Sequence, residues 1–155
     1  MQATLDLQQL VHSAGDAIMV CDAAGAIVLW NKAAERIFGF TEADALGQSL
    51  DLIVPVRQRA RHWEGYHHTM ATAVTKYGAD LLRVPALHKD GHTLSIAFTV
   101  TMLMGDDGKV SSIAAIVRDE SARFAEDRKT RARISELEAL VATSVATRAA
   151  GQAGG

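Results

Sequence analysis

The chain has a single cysteine, Cys21, and two prolines in 155 residues. One thiol forms no internal disulfide, so no cross-linked scaffold holds this fold and a reducing compartment suits it. Long hydrophobic runs are also missing. Nothing approaches the roughly 20 residues needed to cross a bilayer, and Met1 to Gly15 lacks the basic start and apolar block of a signal peptide. A cytoplasmic setting, with no membrane contact, is therefore expected. Charge of one sign is not in excess either: 16 basic residues stand against 18 acidic ones, for a net charge of −2. That balance gives no electrostatic case for nucleic acid or an anionic surface. The chain contains no glycine-rich phosphate loop and no G-x-S-x-G elbow, and no catalytic constellation replaces them, so no enzyme is expected. What remains is a chain with 48% hydrophobic residues, long enough for one buried core but too short for two ordinary domains.

The most legible stretch is Asp16 to Leu50. Two short apolar runs, AIMVCD and AIVLW, are joined by Ala23-Ala24-Gly25, which predicts a hairpin. Asn31 follows as a helix N-cap, with Ala33, Ala34, Ile37 and Phe38 recurring at helical spacing and Gly39 as the stop. Thr41 caps the next helix, with Asp44 three residues on, and Gly47 closes it. Before this unit, Leu5, Leu7, Leu10 and Val11 predict a short amphipathic helix within residues 1–14. After it, Pro55 opens a helix that is carried through Gly65 to about Val74. Three strands are then expected. The first runs from Gly78 to Pro85. In the second, Leu94, Ile96, Phe98, Val100, Met102 and Met104 alternate with smaller or polar residues and should face the core; the third is Val110 to Arg118. Asp90-Gly91 and Asp107-Gly108 are turn signals that make the three antiparallel neighbours. From Asp119 the composition turns charged and helix-prone, which predicts a helix over 120–148 with Ile134, Leu137, Val141 and Val145 on one stripe. Residues 149–155, rich in glycine, are expected to be a flexible tail.

Taken in order and spacing, Asp22, Gly25, Ile27, Trp30, Asn31, Ala34, Phe38, Gly39, Glu42 and Gly47, then Lys89-Asp90-Gly91 and Val117-Arg118-Asp119, resemble the PAS sensor family. The resemblance implies an α+β fold over residues 15–119: a five-stranded antiparallel sheet with helices on one face, a cap helix before it and a signalling helix after it. It also implies a homodimer formed through the terminal helices. Any output would lie in a partner chain or in sequence beyond these residues.

Six histidines raise the question of a metal. His62, His67 and His68 share one predicted helix, but offsets of five and six residues rotate the latter two by roughly 140° and 240° from His62, too far apart to converge on one ion. His88 and His92 flank a turn and read as solvated hairpin residues. His62 differs from the rest. The segment RHWEGYHHTMAT resembles the haem-binding helix of PAS domains in rhizobial oxygen-sensing histidine kinases, and the match continues without a gap to Lys89-Asp90-Gly91. By that resemblance His62 is the axial ligand of haem b, Phe98 and Val100 form an apolar distal wall, and His68 and Lys76 lie where propionates need partners. Ile96 and Met102 share the inward face, and Met102 or Met104 is a candidate sixth ligand. The oxygen sensors carry an arginine where this chain has Leu82, which implies weaker support for bound oxygen relative to carbon monoxide or nitric oxide. Arg83 is adjacent, but a one-residue step along a strand turns it to the other face. The alternative is a cofactor-free dimerisation module. Light-driven flavin chemistry is disfavoured, because its cysteine would have to lie on the helix before the strands.

Overall fold

Asn31 organises the first half of the molecule. It is fully buried, and its side-chain oxygen accepts from Ile18 N at 2.9 Å and Ala34 N at 3.0 Å, while its amide donates to Val11 O at 2.9 Å and Asp16 O at 3.1 Å. One residue thus caps helix α2 (Lys32–Phe38), pins strand β1 (Ala17–Asp22) beside β2 (Ile27–Trp30), and holds the end of helix α1 (Leu7–Ser13). Gly39 ends α2 at φ 82°, the left-handed conformation that glycine adopts without a Cβ penalty. Helix α3 (Glu42–Ala45) carries the predicted capping box between Thr41 and Asp44. These observations come from a computed structural model that describes residues 4–154; residues 1–3, at the head of the expected cap helix, and 155, in the expected tail, lie outside it.

A 3₁₀ turn (Leu50–Leu52) leads into the long helix α4 (Val56–Thr72), then come β3 (Leu82–Leu87), β4 (Thr93–Met104), β5 (Val110–Asp119) and helix α5 (Ser121–Gln152). The five strands form one antiparallel sheet in the order β2-β1-β5-β4-β3. Its central strand is therefore β5, which pairs non-locally with β1. The core gathers Met19, Cys21, Ile27, Trp30, Phe38, Tyr66, Leu94, Ile96 and Val117, with Trp30 tilted against Phe38 at 5.5 Å and its indole N–H donating to Phe40 O at 3.0 Å. Burial pushes the Cys21 thiol up to about 12, so it stays protonated as a small core group.

Several boundaries differ from expectation. The strand placed at Gly78 to Pro85 starts at Leu82, because Gly78 takes φ 54° in a turn closed by Asp80 N donating to Tyr77 O. It continues through Pro85, which is tolerated because β3 is an edge strand. Helix α4 stops at Thr72, with Ala73 in the left-handed region at φ 56°. Of the inward set expected in β4, Leu94, Ile96 and Phe98 join the core, Val100 and Met102 are only half-buried, and Met104 is exposed past an irregularity in register at Leu103/Met104, while Ala97 is buried on the opposite face. Helix α5 runs on to Gln152, through Gly151 and past the end expected at 148. It forms a separate unit from Ser121 onward, the first unit closing at Glu120.

Candidate functional site

Helix α4 is fastened to its surroundings by three polar side chains. Arg59 donates to Val54 O at 3.0 Å and Asp51 O at 3.1 Å, the Trp63 indole donates to Asp51 Oδ1 at 2.8 Å, and the Tyr66 hydroxyl donates to Asp22 O at the end of β1. His62, Tyr66 and Met70 fall on one stripe of this helix by their spacing of four. Tyr66 and Met70 belong to the apolar cluster that also takes in Ile96 and Phe98 of β4. His62 is half-buried, edge-on to Trp63 at 4.7 Å and tilted against Tyr66 at 6.0 Å. Its Nδ1 is buried and has no hydrogen-bond partner among the described residues. Buried polar atoms nearly always have one.

Burial lowers the His62 pKa, with the Asp51 carboxylate opposing part of that effect, so the ring is neutral at pH 7. A neutral imidazole has a lone pair to give a metal. Strand register supplies the apolar partners. Leu82 stands opposite Phe98, Phe98 opposite Val117 and Val117 opposite Ala17; Val100 stands opposite Ala115 and Met102 opposite Ile113. Leu82, Ile96, Phe98, Val100 and Met102 thus share one face of the sheet. Val84, on the same face, is 40% exposed, so side chains do not seal this face towards β3. Arg83 points the other way and pairs with Glu120 at 3.3 Å.

His68 and Lys76 are exposed and join neither the apolar cluster nor the His62 contacts; the Lys76 ammonium lies over the Tyr77 ring at 5.6 Å. Trp63, Tyr66 and Asp51, which fix the pose of α4, are the functional residues that sequence reasoning missed. The i, i+3, i+7 recurrence of Trp63, Tyr66 and Met70 was the available signal. Two surface grooves lie elsewhere: one of about 210 Å³ bounded by Ala97, Thr99, Ile116 and Arg118, the other of about 440 Å³ between Leu7, Val11, Val28 and Leu46. No helix among the described residues is long and apolar enough to span a membrane.

A model of the PAS fold matches residues 5–119. The chain is 30% identical over 133 residues to the sensor protein FixL of Bradyrhizobium diazoefficiens, covering 85% of this chain and 25% of FixL. It is 25% identical over 114 residues to the oxygen sensor protein DosP of Escherichia coli, covering 74% of this chain and 14% of DosP. It thus spans a quarter or less of these curated relatives. The crystal structure of a PAS domain from Colwellia psychrerythraea is alike in fold, with a TM-score of 0.66 at 23% identity over 75% of this chain and 95% of that one. With the antiparallel sheet, the Asn31 keystone and the family match in agreement, the chain belongs to the PAS family.

Proposed function

We propose that this PAS domain is a cytoplasmic sensory module without substrate turnover, and that it holds haem b through His62 to sense a diatomic gas. The observation that carries the reading is His62 itself: a half-buried, neutral imidazole on the α4 stripe facing the β4 cluster, with a buried nitrogen that has no partner. The residues fit the group in kind, since haem needs an imidazole on one side and an apolar wall on the other. When bound, haem would supply an iron able to take up a diatomic gas. His62 would anchor it, Phe98 and Val100 would keep water out, and Leu82 and Ile96 would complete the wall; by the register of the family resemblance, His68 and Lys76 would meet the propionates. The likeness to FixL, a sensor protein, and DosP, an oxygen sensor protein, supports the same reading.

Leu82 has no hydrogen-bond donor to offer, and Arg83 is turned away and engaged by Glu120. Carbon monoxide or nitric oxide should therefore be favoured over oxygen. The decisive experiment is the absorption spectrum of haem-supplied protein, wild type beside His62→Ala, with reduction and carbon monoxide. A sharp Soret band that moves with carbon monoxide and vanishes in the variant is expected; a featureless spectrum, or haem uptake indifferent to the substitution, overturns the reading. The second reading is a cofactor-free homodimerisation module. It is favoured by the exposed Ile134, Leu137, Leu140, Val141 and Val145 along α5 and the exposed Leu5, Leu7 and Leu10 at the other end of the chain. Dimers that persist in His62→Ala, without a chromophore in the wild type, would select it.

A further inference from the structure

The hairpin between β3 and β4 brings together three metal-binding side chains that the sensory reading does not use. Its turn is tight: His88 N donates to His92 O at 2.9 Å, Gly91 N donates to His88 O at 2.9 Å, and Gly91 takes φ 94°. That turn brings residues at i, i+2 and i+4 onto one side. The Asp90 carboxylate oxygen lies 3.1 Å from His88 Nδ1 and in hydrogen-bond contact with His92 Nδ1, and the two rings stack at 4.5 Å. One ligand atom from each residue lies within 4.8 Å of the others. His88 is not the solvated residue its place beside a turn suggested. Its side chain is 22% exposed, and its Cε1–Nε2 edge fills the space beside Gly39, where a Cβ would come within 2.7 Å. With that edge packed away, the remaining nitrogen, Nδ1, faces the turn and accepts a hydrogen bond from Asp90 N at 3.2 Å. The intervening cation is drawn off: the Lys89 ammonium bonds Asp44 at 2.9 Å and lies over the Phe40 ring.

We propose that His88, Asp90 and His92 form a binding site for one divalent transition-metal ion of the zinc, cobalt or nickel type. Ligand distances of about 2.0–2.2 Å at a tetrahedral ion put neighbouring ligand atoms roughly 3.3–3.6 Å apart, close to the 3.1 Å between His88 Nδ1 and the Asp90 carboxylate oxygen. Two imidazoles with one carboxylate suit borderline ions and leave positions open for water or a further ligand. On binding, His88 Nδ1 gives up the bond from Asp90 N, and His92 carries its proton on Nε2 so that Nδ1 can coordinate. The site is separate from His62 and does not depend on the haem reading.

The test is calorimetric titration of tag-free protein with Zn²⁺, paired with the visible absorption of Co²⁺ and its paramagnetic shifts on histidine ring protons. The expected result is one ion per chain, with His88 and His92 protons shifted. Affinity should fall about tenfold or more in His92→Ala and in Asp90→Asn, which retains an acceptor for the turn. His62→Ala and the double variant His67→Ala/His68→Ala should bind as the wild type does. Equal affinity in wild type, His92→Ala and Asp90→Asn, or binding that follows His67 and His68 instead, would overturn the proposal.

Discussion

Asn31 shows how much of one residue a sequence reveals. Its role as the cap of α2 follows from its place before Lys32 and from the helical spacing behind it. Its bonds to Ile18, Val11 and Asp16 are tertiary, made to groups at least 13 residues away, and no local pattern announces them. Replacing it with alanine strands two backbone N–H donors and two carbonyls that it now serves. Asn31→Ala should therefore cost about 3 kcal/mol or more, well above the roughly 1 kcal/mol of a cap alone. Urea unfolding measures the difference, and a loss confined to the cap value would mean that the other bonds contribute little. His62 presents the opposite case. Its helix was legible from the sequence, whereas its unpartnered nitrogen and depressed pKa arise from burial among groups such as Trp63 and Tyr66.

At the scale of elements, local pairings were readable and distant ones were not. The hairpin, both caps and the β3–β4–β5 meander follow from turn residues and a period of two. The β1–β5 pair closes the sheet between strands at opposite ends of the domain, and without the family resemblance no turn signal could announce it. Arg118 fastens that pair with a two-pronged bond to Asp16, at 3.0 and 2.8 Å across 102 residues. This hydrogen bond holds the Asp16 carboxyl below its ordinary value of 3.8. A depressed carboxylate contributes stability that is complete above its unfolded pKa and is lost as pH falls through the folded value. Arg118→Gln should thus narrow the gap between urea midpoints measured at pH 7 and at pH 3; an unchanged gap would assign acid sensitivity to other carboxylates.

The whole molecule is a PAS sensory domain up to Glu120 followed by a helical unit from Ser121. Helix α5 buries none of its residues, and the buried core cluster lies wholly within the first unit. A chain ending at Glu120 should therefore melt within a few degrees of the full chain. If α5 mediates self-association, the shortened chain should also run as a monomer in light scattering where the full chain runs as a dimer. Dimers in both chains would move the association to the N-terminal half. The boundary itself was readable from composition, because Asp119 is where alternation stops and charge begins. The far end of the helix was misread, since glycine weakens a helix without ending it when the preceding turns are strong formers.

The Trp63 indole fills the volume that a side chain at position 25 would need: a Cβ there would lie 2.3 Å from the ring, on a backbone already at φ 82°. The β1–β2 turn and helix α4 therefore share one constraint across 38 positions of sequence. Neither site is free to drift while the other stays fixed. Enlarging residue 25 is tolerable only after the indole has shrunk, and shrinking the indole first forfeits its bond to Asp51. Every two-step route between this pair and another crosses a poorer intermediate, so in descendants of this chain Gly25 and Trp63 should be inherited together or exchanged together.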